Sequence, residues 1–227
     1  MRSRTKIILA IFTLLFSACS EDWALKEETF TISKENSEWV PTRLDDETFF
    51  MIDNSGITQG YQVESEYYYL DKSWGGFLGL NTHMTFTEYR SREYGATYNF
   101  DYSISIRAST DEIYGDQIRV QVGNTAFSYD LKQGIIYSLE LNFFNQSYLQ
   151  TTEGFEAEVQ IESVCEILDS FVIGEDTYYE VLHFQLHDTP EKWSDYTVTE
   201  IYVAKGIGLI KFKLNTDICY TRTYPLN

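Results

Sequence analysis

The stretch T-Y-N-F-D-Y-S-I-S-I-R at residues 97–107 decides the fold class of this chain. Apolar and polar side chains alternate along it without a break. The apolar set is Tyr98, Phe100, Tyr102, Ile104 and Ile106. Because successive side chains of a β-strand point to opposite faces, this period of two predicts an antiparallel strand with one buried and one solvated face.

The same alternation recurs along most of the chain. In the stretch 155–167, four glutamates occupy one face, and Cys165 and Ile167 belong to the apolar face. No window of eleven or more residues shows a helical stripe. The other predicted strands are Thr29–Ser33, Thr48–Asp53, Gln59–Leu70, Leu80–Tyr89, Gln117–Val122, Thr125–Tyr129, Ile135–Phe144, Ser170–Ile173, Thr177–His187, Tyr196–Ala204, Ile207–Leu214 and Ile218–Tyr224.

These strands predict an all-β chain with a single curved antiparallel sheet of about a dozen strands, since a flat sheet of that size would expose long edges. A half-barrel or barrel solves that problem, and a β-sandwich is the alternative. Gly123-Asn124 and Lys205-Gly206 are short enough for two-residue hairpin turns. We expect a glycine-rich loop at Trp74–Leu80 and one short turn at Asp188–Asp195.

Composition excludes several classes of protein. The chain has 227 residues, with 35 acidic against 17 basic residues and a net charge of −18. Such a charge disfavours a nucleic-acid binder, which needs a basic surface for phosphate. The 18 tyrosines and 15 phenylalanines supply apolar surface that a disordered chain lacks. Three cysteines are too few for a small disulfide scaffold.

The N-terminus has the pattern of an export signal. Three bases, Arg2, Arg4 and Lys6, precede the ten-residue, largely apolar run Ile7–Phe16, which is too short to span a membrane. The following Ser17-Ala18-Cys19 resembles a bacterial lipobox, which implies cleavage before Cys19 and acylation of its thiol. An ordinary signal peptidase is the competing route, but Phe16 is large for it.

The domain boundaries follow from that signal. We expect a lipoprotein signal peptide at residues 1–18, a lipidated acidic tether at 19–29 and one antiparallel β domain at 30–227. Loss of residues 1–18 removes three bases and no acids, which changes the charge from −18 to −21. An anionic chain does not bind anionic headgroups by charge, so we expect the lipid to anchor it.

The residues after Cys19 bear on localisation. Ser20, Glu21 and Asp22 resemble the acidic tag that directs some Gram-negative lipoproteins to the outer face of the outer membrane. A solvated tether explains the same three residues. We therefore expect a lipid-anchored outer-membrane protein, and display outside or orientation toward the periplasm stays open.

Two further segments resemble uncharacterised Gram-negative outer-membrane or surface lipoproteins. One is the hairpin Tyr202–Lys211, with the pattern Y-x-A-x-G-I-G-L-I-K near the C-terminus. The other is Glu38–Pro41 followed by Phe49-Phe50 and Asn54–Gly56. The resemblance implies a curved antiparallel sheet similar to the half-barrels of lipoprotein carriers, and it implies no activity. Gly206 suits a tight turn, and Gly208 allows a close approach.

No catalytic signature stands out. Acidic pairs such as Asp45–Glu47 and Glu64 with Glu66 are what a glycosidase needs, but chance pairs are expected among 35 acids. The chain has no G-x-S-x-G, H-E-x-x-H, P-loop or EF-hand loop. We therefore expect no catalytic residue and no cofactor.

A zinc site at His183 and His187 is also disfavoured. On a helix this spacing would place both rings on one face, but the surrounding alternation is that of a strand. Four residues along a strand span about 13 Å, which two zinc ligands cannot bridge. We expect no metal.

The aromatic residues are the stronger candidates for function. Exposed Trp and Tyr side chains can stack on sugar rings or grip an apolar partner, although core filling explains many of them. The candidate ligand-binding aromatics are Tyr67, Tyr68, Tyr69, Trp74, Phe77 and Trp193. Cys165 and Cys219 could form a disulfide in an exported protein or remain free thiols.

These features predict a non-enzymatic outer-membrane lipoprotein that acts as a binding or structural module, with a protein or glycan partner. One alternative is an extracellular glycan hydrolase. Another is a periplasmic lipid or lipoprotein carrier, which would need a dry concavity lined by Tyr98, Phe100 and Tyr102.

Overall fold

A computed structural model describes residues 26–41, 48–77, 80–98, 100–143, 146–151, 163–187 and 196–223. Nearly all of the described elements are strands. They are β1 Lys26–Phe30, β2 Thr48–Asp53, β3 Thr58–Phe77, β4 Leu80–Ala96, β5 Tyr102–Arg107, β6 Gln117–Val122, β7 Thr125–Asp130, β8 Ile135–Phe143, β9 Gln146–Thr151, β10 Ser163–Ile173, β11 Asp176–Leu186, β12 Val198–Ala204, β13 Gly208–Leu214 and β14 Cys219–Thr223. One short helix, α1, covers Lys34–Ser37.

The strands form one sheet with the order β10-β11-β12-β13-β14-β2-β3-β4-β5-β6-β7-β8-β9. Twelve antiparallel strands wrap into a nearly closed barrel with one unsealed seam. Strand β10 approaches β8 at this seam, and β1 lies off this order as a parallel neighbour of β4. The predicted all-β fold with a curved antiparallel sheet is confirmed, in its barrel form rather than as a sandwich.

The barrel interior is filled by the apolar faces of the strands. Tyr102, Ile104 and Ile106 of the opening stretch are buried, as their alternation predicts. Phe127 on β7 and Phe184 on β11 stack across the interior, with ring centroids 4.4 Å apart. Most of the apolar faces predicted from the sequence therefore meet in the main packed core.

Strand β5 is shorter than the predicted Thr97–Arg107, because it begins only at Tyr102. The carboxylate of Asp101 accepts a hydrogen bond from the Ala96 N–H at 3.0 Å, which holds a turn between β4 and β5. Tyr98 lies within this turn and is 59% exposed, so it does not join the buried face.

The prediction of a glycine-rich loop at Trp74–Leu80 is wrong, because both ends of this range belong to strands. Strand β3 continues to Phe77 and β4 begins at Leu80. Trp74 pairs with Met84, and Phe77 pairs with Leu80. The ladder accommodates the two glycines through a register shift between Gly75 and Gly76, so they do not end the strand.

The two predicted hairpin turns have different outcomes. Gly123-Asn124 is the two-residue turn between β6 and β7. The turn between β12 and β13 has three residues, 205–207, and Ala204 pairs with Gly208. Gly206 and Gly208 both have positive φ, and the Pro41 and Tyr102 side chains lie close to Gly208. The expected close approach at Gly208 is confirmed.

Two other boundaries differ from the sequence-based ones. Strand β1 begins at Lys26, inside the predicted tether at 19–29, because residues 26–30 pair with β4. The predicted strands 155–167 and Ser170–Ile173 are joined in β10, in the part of 155–167 that is described. Residues 155–162 and 188–195 lie outside the described residues.

Candidate functional site

Strands β3 and β4 form a hairpin that is much longer than the barrel strands around it. Strand β2 pairs with β3 only as far as Gln62, and β5 pairs with β4 only over Tyr89–Tyr94. Beyond those limits β3 and β4 pair with each other, and β1 covers the far edge of β4. We call residues 63–77, 80–88 and β1 the arm. Its β3 side extends over about 46 Å at roughly 3.3 Å per residue.

The outer edge of the arm is the backbone of β3 from Val63 to Phe77. Among the described residues, no strand pairs with this edge. An open edge presents a row of backbone donors and acceptors that can pair with another extended chain. The arm is therefore a part of the molecule that can receive a further strand.

Large apolar side chains are exposed along the same strand, on both faces of the arm. The exposed fractions are 49% for Tyr67, 66% for Tyr68, 47% for Tyr69, 48% for Leu70 and 49% for Trp74. Five of the six predicted ligand-binding aromatics thus lie on one strand. Phe77 ends that strand, and Trp193 lies outside the described residues.

Cross-strand neighbours position these rings. Tyr69 packs against Tyr89 of β4, with ring centroids 4.8 Å apart. The Arg90 guanidinium lies 5.3 Å from the centre of the Tyr68 ring and is held by the Glu88 carboxylate at 2.9 Å. Pairs of this kind are the usual stabilising contacts of a β-sheet, so the rings are held in place although they face solvent.

A groove of about 300 Å³ lies where the arm meets the barrel. It combines two aromatic rings with one carboxylate and one guanidinium. Its lining residues are Val40, Glu66, Tyr67, Tyr68, Arg90 and Ser91. This mixture of apolar surface and a few polar groups is typical of a recognition site.

The acidic pair Glu64 and Glu66 lies on β3, near the base of the arm. Glu64 lies at a register shift of β3, packs over Gly95 and lines a separate, polar depression of about 560 Å³. Glu66 lines the groove and lies 3.8 Å from the Arg92 guanidinium. The two carboxylates therefore face different depressions. Asp45–Glu47 lies outside the described residues.

His183 lies on strand β11, as the alternation predicts, and His187 follows the end of that strand. The His183 ring stacks on Tyr202 at 4.3 Å, and its Nδ1 lies 3.5 Å from the Glu166 carboxylate. His183 therefore packs against side chains of the two neighbouring strands, β10 and β12. Within the described ranges, no group of three His, Cys, Asp or Glu side chains could hold a metal ion.

Cys165 and Cys219 are free thiols in the structure. They lie on β10 and β14, four strand spacings apart along the curved sheet, or about 19 Å at roughly 4.8 Å per spacing. A disulfide needs Cα atoms about 4.4–6.8 Å apart. Burial raises the pKa of the Cys165 thiol, which keeps it protonated and unreactive.

Sequence reasoning missed the groups that support the arm. Lys72 lies over the Trp74 ring at 4.5 Å, and Glu88 accepts a hydrogen bond from the Ile32 N–H at 2.9 Å. The spacing of two between Lys72 and Trp74 signals a shared strand face. The predicted loop at Trp74 concealed that signal. No sequence pattern indicates the contact of Glu88 with Ile32, which is 56 residues away.

The lipobox residue Cys19 and the tag residues Ser20, Glu21 and Asp22 lie outside the described residues. In the part of the chain that is described, no helix is long and apolar enough to cross a membrane. Comparisons with protein-family models, curated proteins and solved structures found no match for this chain.

Proposed function

We propose that this protein is an outer-membrane-anchored lipoprotein that acts as a non-enzymatic binding module, with the arm as its binding surface. One observation carries the proposal: exposed aromatic side chains line a β3 edge that no described strand occupies. A partner strand added to such an edge gains backbone hydrogen bonds, and alternate side chains supply specificity.

The occupant that this edge fits best is an extended segment of another envelope protein. Backbone groups of β3 offer a ladder to a polypeptide, whereas a glycan would use only the ring faces of the tyrosines. Glu64, Glu66 and Asp71 lie along the strand, and the net charge of the mature chain is −21. This charge favours a segment that carries Lys or Arg residues.

The anchor rests on the N-terminal pattern. Ser17-Ala18-Cys19 matches a lipobox at the cysteine and the two residues before it, and the acidic residues that follow match an outer-membrane tag. Acyl chains at Cys19 would keep the binding module at the membrane, since each buried methylene contributes about 0.8 kcal/mol.

The geometry gives less support to the other two functions. A glycan hydrolase needs two converging carboxylates, and Glu64 and Glu66 face different depressions. A lipid carrier needs an open apolar concavity, and Phe100 and Tyr102 are 7% and 1% exposed within the packed core. Both observations favour the arm surface over an internal site.

Site-specific photo-cross-linking in cells tests the binding surface. A photo-reactive amino acid replaces Tyr68 on the arm in one variant and Tyr179 on β11 in the control variant. The two positions are matched, because their side chains are 66% and 68% exposed. We expect cross-linked peptides from a partner protein at position 68 and none at 179, since only position 68 lies on the β3 strand of the arm.

Mass spectrometry of the adducts identifies their chemistry. Peptide adducts that map to one extended segment support strand addition. A carbohydrate adduct at position 68 would show that the partner is a glycan and not a protein. Equal labelling at positions 68 and 179, or no adduct at position 68, would contradict the proposed binding surface.

A further inference from the structure

The direction of β1 shows where the N-terminal segment joins the arm. Strand β1 runs parallel to β4, with Lys26 opposite His83 and Phe30 opposite Thr87. His83 in turn pairs with Gly75, close to the end of β3. The chain therefore enters β1 at the outer end of the arm and runs from there toward the barrel.

The length of the segment before β1 limits the position of the proposed lipid anchor. Cys19 precedes Lys26 by seven residues, which span at most about 25 Å when fully extended. The base of the arm at Val63 is twelve residues from Gly75, or about 40 Å along the strand. An acylated Cys19 therefore reaches the outer end of the arm but not its base.

The outer end of the arm carries side chains suited to a lipid surface. Trp74 is half-exposed, and the Lys72 ammonium lies 4.5 Å from the centre of its ring and 5.9 Å from that of Phe86. Trp prefers the headgroup region, where its apolar ring is buried and its N–H stays hydrated. Lys buries its alkyl stem and keeps its charge near anionic headgroups.

We propose that Trp74 and Lys72 dock the outer end of the arm into the headgroup region of the membrane that holds the lipid anchor. This contact rests on the proposed acylation of Cys19 and adds a second, protein-based contact to it. The arm then acts as a spacer that holds the barrel away from the membrane surface. Tyr68 lies six residues from Trp74, about 20 Å along β3, and stays accessible to a partner.

Quenching of tryptophan fluorescence by brominated lipids tests this contact in the full lipidated chain. The protein is reconstituted into vesicles of phosphatidylethanolamine and phosphatidylglycerol, with and without bromine on the acyl chains. The wild type is compared with Trp74→Phe and with Trp74→Phe combined with Tyr179→Trp. The second variant places a tryptophan on the barrel at a more exposed position, since Tyr179 is 68% and Trp74 49% exposed.

We expect Trp74→Phe to reduce bromine-dependent quenching about twofold, because Trp23 follows Cys19 by four residues and is the other tryptophan near the anchor in sequence. The added tryptophan at position 179 should not restore the quenching. Equal quenching of the wild type and Trp74→Phe would overturn the proposal. Strong quenching at position 179 would do so too, because the barrel would then lie on the membrane.

Two further measurements distinguish the absence of the lipid anchor from the absence of the arm contact. Mass spectrometry reports the lipid on Cys19, and Cys19→Ser should abolish sedimentation with vesicles. A chain without lipid would overturn the proposed anchor and this contact together. A lipidated chain in which Trp74 is not quenched would overturn the arm contact alone.

Discussion

At the scale of single residues, Gly208 shows how one backbone position ties the two ends of the chain together. Its φ is +92°, a backbone conformation that residues with a Cβ rarely adopt. A Cβ at this position would lie 3.2 Å from Pro41 Cγ and 3.4 Å from the Tyr102 hydroxyl. The glycine therefore lets the β12–β13 hairpin pack against the N-terminal segment and the barrel core.

This contact predicts unequal costs for two neighbouring glycines. Gly206→Ala should destabilise by about 1–2 kcal/mol through backbone strain alone, since no atom lies within 4 Å of its Cβ position. Gly208→Ala should cost about 1–3 kcal/mol more, because the added methyl also overpacks Pro41 and Tyr102. Urea unfolding measures both free energies, and equal losses would contradict the packing role of Gly208.

At the scale of elements, the far edge of β4 is shared by two strands, and Glu88 lies where one replaces the other. Residues 83–87 pair with β1, and residues 89–94 pair with β5. The Glu88 backbone carbonyl accepts the Ala108 N–H, and its carboxylate accepts the Ile32 N–H and two hydrogen bonds from Arg90. Glu88 thus bonds to the chain just beyond the ends of both strands that share this edge, β1 and β5.

Removing this carboxylate should loosen β1. Glu88→Ala deletes a hydrogen bond from the Ile32 N–H to a charged group, a loss of about 1.5–3 kcal/mol. Hydrogen exchange at Lys26–Phe30 should become roughly tenfold to a hundredfold faster, while β6 and β7 stay unchanged. The control is Glu93→Ala, an exposed carboxylate on the same strand whose partner is Ser65. Equal effects of the two variants would argue against this role.

At the scale of the whole molecule, packing across the interior closes the barrel. Phe127 and Phe184 belong to β7 and β11, which are not neighbours in the sheet, and both side chains are fully buried. Their rings are stacked at 4.4 Å with an interplanar angle of 10°. The stack therefore joins the strands on the two sides of the unsealed seam.

Truncating this contact should destabilise the whole barrel. We expect Phe184→Ala to lower the free energy of unfolding by about 3–5 kcal/mol, because it leaves a cavity in the packed interior. Tyr179→Ala on the same strand should change it by about 0.5 kcal/mol or less, since that side chain is largely exposed. Thermal unfolding monitored by circular dichroism compares the two, and a small effect of Phe184→Ala would contradict interior packing.

The antiparallel strands and most of the faces they bury follow from local sequence patterns. The alternation at residues 102–106 predicts the buried Tyr102, Ile104 and Ile106, and Gly123-Asn124 predicts its hairpin turn. Both signals are local, because side-chain direction in a strand and backbone angles in a turn depend on adjacent residues. These local signals do not predict that Tyr67, Tyr68 and Tyr69 are all exposed, since neighbouring side chains in a strand face opposite sides.

The ends of the strands, their order in the sheet and the near closure of the barrel depend on contacts between segments that are distant in sequence. Strand β3 passes through Gly75 and Gly76 because β4 continues the ladder beside it, and β1 joins β4 from more than fifty residues away. Backbone hydrogen bonds form wherever a neighbouring strand is present, because every residue except proline offers the same backbone donor and acceptor. The arm, and with it the candidate binding surface, is therefore a property of the assembled sheet.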